Sequence, residues 1–239
     1  FCLLKRSYWY VILTYIVVQF SFLLGVPLVV KLFNIETLRE EAFANVYWSI
    51  GSFIVGVFVV LWLMRKDLFG QKPDGAVSLP MSFLWAFLGL FIAYAAVMAA
   101  GLIELVLGIT DPSENTESIM KVTRAVPLFM IIPIFCAPIL EEIIFRKIIF
   151  GVLYKKTNFF IAALLSAVVF GFVHGEPIHI LSYASMGFVF AYLYVRTKRL
   201  LVPILVHMAL NSVTVIIQYI GIETIEQKLE SLQMILIGG

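Results

Sequence analysis

Seven apolar stretches decide what this chain can become: about Tyr8–Val30, Tyr47–Met64, Ser82–Leu107, Ala125–Leu153, Asn158–Val173, Ile178–Val195 and Leu200–Ile220. Only the third and fourth contain any Asp, Glu, Lys or Arg. A bilayer core about 30 Å thick takes roughly 20 apolar residues of helix to cross, and most of these stretches meet that length. Hydrophobic residues make up 62% of the chain and charged residues 13%, against roughly 45–50% and 25% in a soluble domain. Strand-type alternation is absent, which argues against a barrel. The expected fold is all-α, a polytopic transmembrane helical bundle of about seven to eight spans. The first stretch lacks a small-residue cleavage site and reads as a retained span, not a removed signal.

The connectors are short. Residues 70–80, with Gly70, Pro73, Asp74, Gly75 and Pro80, form the clearest linker. With the N-terminus inside, cytoplasmic segments would hold Lys5, Arg6, Arg65, Lys66, Lys72, Lys155, Lys156, Arg196, Lys198 and Arg199. That is twice the number on the opposite side: Lys31, Arg39, Lys121, Arg124 and Lys228. The excess predicts a cytoplasmic N-terminus. A net charge of +2 with no basic cluster gives no footprint for nucleic acid. Cys2 and Cys136 have no metal-type spacing and read as unpaired. The tail, 221–239, is weakly amphipathic and suits a membrane surface.

Small residues at helical spacing in the third stretch (Gly89, Ala93, Ala96, Ala100, Gly101) predict a close helix–helix contact. Glu104, near its end, is expected at the interface. Pro127, Pro133 and Pro138 predict that the fourth helix starts late or kinks.

Chemistry concentrates in that fourth stretch. Glu141, Glu142 and Arg146 lie within six residues of apolar helix, where a charge costs at least about 2.5–3.5 kcal/mol. They therefore belong to a buried polar site, a water-filled cavity, or a structural ion pair. Glu142 and Arg146, four apart, share a helix face and can pair. Glu141 is rotated about 100° away and is freer to react. Two more polar pairs follow at the same spacing, Phe170 with His174 and His207 with Asn211. Counted at about 1.5 Å per residue, Glu141, His207 and Asn211 reach comparable depth. His174 falls too far across unless the fifth helix tilts or begins inside a cavity.

These motifs, Glu141-Glu142-x-x-x-Arg146, Phe170-x-x-x-His174 and His207-x-x-x-Asn211, resemble those of the CAAX prenyl protease type 2 family. That family is also known as the CPBP or Abi family. The resemblance covers about residues 125–220 and divides the chain into helices without a recognised motif (1–124), a catalytic helical core and the tail. It implies an intramembrane endopeptidase with its site in a helix-lined chamber. Glu141, helped by His174, would polarise water; His207 and Asn211 would stabilise the oxyanion; Glu142, Arg146 and Phe170 would support them. The implied partners are a peptide or protein substrate and the bilayer, in a bacterial cell membrane. Bacteriocin maturation and processing of peptide signals are candidate roles.

Glu141, His174 and His207 could instead ligate Zn²⁺ with an open position. There is no His-Glu-x-x-His, and the run His174 to His179 has the wrong spacing and is broken by Pro177. No cofactor is therefore expected, with a zinc protease as runner-up. The rival class is a non-catalytic scaffold or bacteriocin immunity factor that keeps the motifs for folding. A transporter ranks third, since no repeat-related broken helices are visible.

Overall fold

In a computed structural model, all regular elements among the described residues are helical. The structure describes the backbone of residues 5–71 and 73–237, and side chains as far as 221. Cys2 and Lys72 lie outside the described residues, as do the side chains on which an amphipathic tail depends.

The first stretch is two helices, α1 (Arg6–Phe20) and α2 (Phe22–Phe33), bent by 47°. The break falls at Ser21, whose hydroxyl accepts from Trp48 Nε1 at 3.0 Å and donates to the Val18 carbonyl. The bare backbone of Gly25 lets the Trp48 ring pack directly against it. α3 (Leu38–Leu68) is capped by Thr37 and packs on both. α4 (Leu79–Val106) is capped by Ser78. Its small-residue face is only partly used: Ala93 and Ala100 are buried and a Cβ at Gly89 would strike Leu193, but Gly101 meets nothing.

α5 (Glu114–Ala125) is short and amphipathic, capped by Ser113. The fourth stretch becomes α6, Pro127–Tyr154, a single irregular span. It opens with a 3-10 turn at Pro127–Met130 and a π turn at Ile132–Cys136. It is α-helical over Ala137–Glu142, π-helical over Ile143–Phe150, and α-helical again over Gly151–Tyr154. α7 (Phe159–Val173), α8 (Ile180–Thr197) and α9 (Leu201–Ile237) complete the chain. The tail backbone thus continues α9 as helix to Ile237.

Among the described residues five helices are long and apolar enough to cross a membrane, and the bent α1–α2 pair makes six if it is counted as one broken span. α7, with 15 residues, is only about 22 Å long and stops short of a full crossing. α6 is the centre of the bundle. Of its most apolar window 61% is buried, against 33% at most in the other spans. It touches α1, α3, α7, α8 and α9. Leu140, Ile143, Phe145 and Ile148 interlock with Val11, Val60, Met64 and Phe170, while Ala93, Phe190, Leu193, Val202 and Val206 join α4, α8 and α9. Large side chains such as Phe58, Trp62, Phe87, Phe91 and Val106 face outward. Facing lipid they cost nothing, so close packing and internal hydrogen bonds must hold the helices together.

Candidate active site

The π turns of α6 build the first part of the site. In the turn at Ile132–Cys136 the Ala137 N–H donates five residues back, to the Ile132 carbonyl. The same register would pair the Pro133 carbonyl with residue 138, but Pro138 has no N–H to give. The Asn211 side chain takes its place, Nδ2 donating to the Pro133 carbonyl at 2.8 Å. A proline pair on α6 thereby fixes a motif residue of α9.

Ten residues on, Glu142 and Arg146 are both fully buried, with Arg146 Nε 3.1 Å from Glu142 Oε2. The guanidinium also lies against the rings of Phe170 (4.8 Å) and Phe190 (5.1 Å). Such contacts suit the flat, weakly hydrated head of arginine. Gly187 makes the space: a Cβ there would press on Ala167 and sit 3.6 Å from the guanidinium. The expected pair forms, but Glu142 has a second partner that spacing alone did not reveal. Its Oε1 accepts from His207 Nδ1 at 3.0 Å. His207 turns its other nitrogen, Nε2, to Glu141 Oε2 at 3.7 Å, and its ring stacks on Phe190 at 5.0 Å. The two adjacent glutamates are therefore bridged by one imidazole, and Glu141 has no competing salt bridge to a Lys or Arg among the described residues.

His174 arrives because α7 is short. The helix ends at Val173, Gly175 turns with φ +72°, and a 3-10 turn, Pro177–His179, leads into α8. The imidazole at the helix end thus stays within the bundle and joins the others, which resolves the depth mismatch expected from counting along a full span. Its Nδ1 lies 2.7 Å from the Phe170 carbonyl. A carbonyl can only accept, so Nδ1 carries the proton and Nε2 of the neutral ring keeps its lone pair.

Glu141, His174, His207 and Asn211 all line one cavity of about 490 Å³. Phe170 lines it as well; Glu142 and Arg146 stand behind its wall. The sequence motifs missed much of the remaining lining. Tyr15 and Gln19 come from α1, Tyr94 from α4, Asn115 from α5 and Tyr183 from α8. Glu104, near the end of α4, is only 5% exposed. It accepts from the Ser182 N–H and hydroxyl and meets His179 Nδ1 at 3.3 Å. Glu176, also unanticipated, is buried near the cavity under Ser113, Asn115 and Tyr183. Only its place beside the Gly-Pro break after His174 could have hinted at it.

The donor set suits hydrolysis: a carboxylate and an imidazole lone pair for water, and N–H groups for an oxyanion. Among the described residues no three His, Cys, Asp or Glu are grouped to hold a metal ion. Cys136 is free and buried.

Residues 123–213 match the family described as type II CAAX prenyl endopeptidase Rce1-like. YdiL of Bacillus subtilis (strain 168), named as a candidate membrane peptidase, is 46% identical over 99% of both chains. The membrane-embedded CAAX protease MroQ of Staphylococcus aureus (strain USA300) is 32% identical over 95% of this chain and 96% of its own. A UPF0177 protein, YvdC of Lactococcus lactis, is 21% identical over 74% of this chain and 71% of its own. No solved structure matches.

Proposed function

We propose that this chain, which belongs to the type II CAAX prenyl endopeptidase Rce1-like family, cleaves a hydrophobic or membrane-associated peptide with water activated by Glu141 and His174. One observation carries the reading: three motifs from separate helices bring Glu141, His174, His207 and Asn211 to the wall of a single cavity within the bundle. Glu141 takes the proton from water while His174 Nε2 orients it. The new C–O bond forms as the carbonyl π electrons move to oxygen. His207, as an imidazolium donating Nδ1–H to Glu142 and Nε2–H into the cavity, and the second N–H of Asn211 donate to that oxyanion. Glu141 then returns the proton to the leaving amine as the C–N bond breaks. Glu142 holds His207 by Nδ1, and Arg146 neutralises Glu142 in turn.

The reaction is proposed to need no metal: among the described residues no three His, Cys, Asp or Glu are grouped to hold one, and Asn211 is a poor zinc ligand. Maturation of a peptide signal or bacteriocin fits a compact chamber open to membrane-bound chains. The N-terminus is proposed to be cytoplasmic, in a bacterial membrane.

The test is the peptide content of membranes carrying wild-type protein or single alanine variants of Glu141, His174, His207 and Asn211. A peptide processed by the wild type, lost in the variants and indifferent to a zinc chelator would support the reading. Loss on chelation would favour the zinc protease. Wild-type biology in Glu141→Gln with an unchanged peptide profile would favour a scaffold or immunity factor.

A further inference from the structure

Among the described residues His174 makes one hydrogen bond, to the Phe170 carbonyl. A single N–H···O contact leaves an imidazole free to swing about that axis, and a base that swings cannot orient water. Two rings remove the freedom. Phe170 lies 4.5 Å from the imidazole, and Tyr183 stacks on it at 4.3 Å with the planes 29° apart. Tyr183 is itself held. Its hydroxyl donates to Glu176 Oε2 at 2.6 Å and accepts from Asn115 Nδ2 at 3.4 Å. Glu176 in turn accepts from the Ser113 hydroxyl and the Asn115 N–H, both at 2.8 Å. Ser113 is the cap of α5, its oxygen taking the Thr116 N–H. A continuous chain of contacts therefore runs from the start of α5, through Glu176 and Tyr183, to His174.

We propose that Tyr183 is the positioning residue for His174, with Glu176 locking it to α5. The Tyr183 hydroxyl is spent on Glu176 and Asn115. Tyr183 acts through the imidazole it stacks on. The position of α5 and the aim of His174 are therefore coupled. This inference rests on the hydrolase reading only in giving His174 a task. The placement of the ring can be tested without any substrate.

The probe is diethyl pyrocarbonate, which modifies unprotonated imidazole nitrogens. The full chain is reconstituted in lipid nanodiscs and modification at each histidine is followed by mass spectrometry across pH. Tyr183→Leu removes the stack and is expected to speed modification of His174 roughly three- to tenfold, with His207 unchanged. Tyr183→Phe keeps the stacked ring but loses the hydroxyl that Glu176 holds, and is expected to speed modification of His174 by less than Leu. Glu176→Gln keeps both rings and should shift His174 in the same direction as Leu, by less; it serves if Tyr183→Leu does not fold. An unchanged His174 rate in Tyr183→Leu or Glu176→Gln would overturn the proposal. So would a joint rise at His174 and His207, which marks general loosening. In membranes, Tyr183→Leu should lose the processed peptide and Tyr183→Phe should retain it. If Glu141→Gln leaves the peptide profile untouched, the hydrolase reading fails while the modification rates still decide the role of Tyr183.

Discussion

His207 joins the two glutamates that stand side by side in the sequence, and its two nitrogens divide them into different jobs. Glu142 is locked by Arg146 and His207 Nδ1; Glu141 is left to the cavity. Arg146→Ala should cost about 3–5 kcal/mol, because it strands a buried carboxylate. The measurement is folded yield and thermal melting in detergent, and Arg146→Lys should not restore them, since an ammonium cannot lie flat on Phe170 and Phe190. Unchanged melting in Arg146→Ala would contradict this division. The Glu142–Arg146 pair was legible from spacing, because a helix brings residues four apart together. The bridge to His207 was not: it spans two helices, and nothing in local periodicity says which faces meet. Phe190, Tyr183 and Glu176 were hidden for the same reason, each an ordinary residue until the fold sets it against a motif side chain.

At the scale of elements, irregular helix places the site. Prolines in the fourth stretch were readable as a disturbance, but not as π turns whose orphaned carbonyl recruits Asn211. Asn211→Ala should leave the Pro133 carbonyl unsatisfied and lower stability by about 1–3 kcal/mol. Adding Pro138→Ala supplies the missing N–H, so the double variant should recover stability without recovering activity; melting curves of the two variants check this. Gly187→Val should cost about 1–3 kcal/mol by forcing side-chain atoms onto Ala167 beside the guanidinium, again read by melting.

The α5 anchor has a pH signature. Burial pushes the Glu176 carboxyl up, but hydrogen bonds from Tyr183, the Asn115 N–H and Ser113, with His179 nearby, outweigh it and hold the carboxyl below its ordinary value. A depressed carboxyl contributes its stability above the ordinary carboxylate range and loses it as pH falls through the lower folded value. Protection of the α5 amides, measured relative to intrinsic exchange at each pH, should therefore be high at neutral pH and fall on acidification, with Glu176→Gln removing the dependence.

Across the whole molecule, the apolar stretches were legible as helices because lipid leaves few alternatives to them. The break at Ser21 and the short α7 were less so: the first depends on Trp48 of another helix, and the second on where a helix lies in depth. The division at residue 124 described motifs rather than the cavity, since Tyr15, Gln19 and Tyr94 line it from the earlier helices. One face gathers the end of α3, the linker and the end of α8. There Lys5 bonds Asp67 at 2.6 Å, Lys198 the Asp74 carbonyl and Arg199 the Val77 carbonyl. If the N-terminus is cytoplasmic, cysteines placed at exposed Asp74 and at Lys155 should resist an impermeant thiol reagent in intact cells, and cysteine at Glu114 should react. The reverse pattern would invert the protein.

The most direct test of the central claim is isotopic. Membranes carrying wild-type protein or Glu141→Gln are incubated in H₂¹⁸O, and their peptides are analysed by mass spectrometry. Water activated at Glu141 predicts new peptides bearing one ¹⁸O in a fresh C-terminal carboxyl, from the wild type alone. Equal labelled products from both, or none from either, would contradict it.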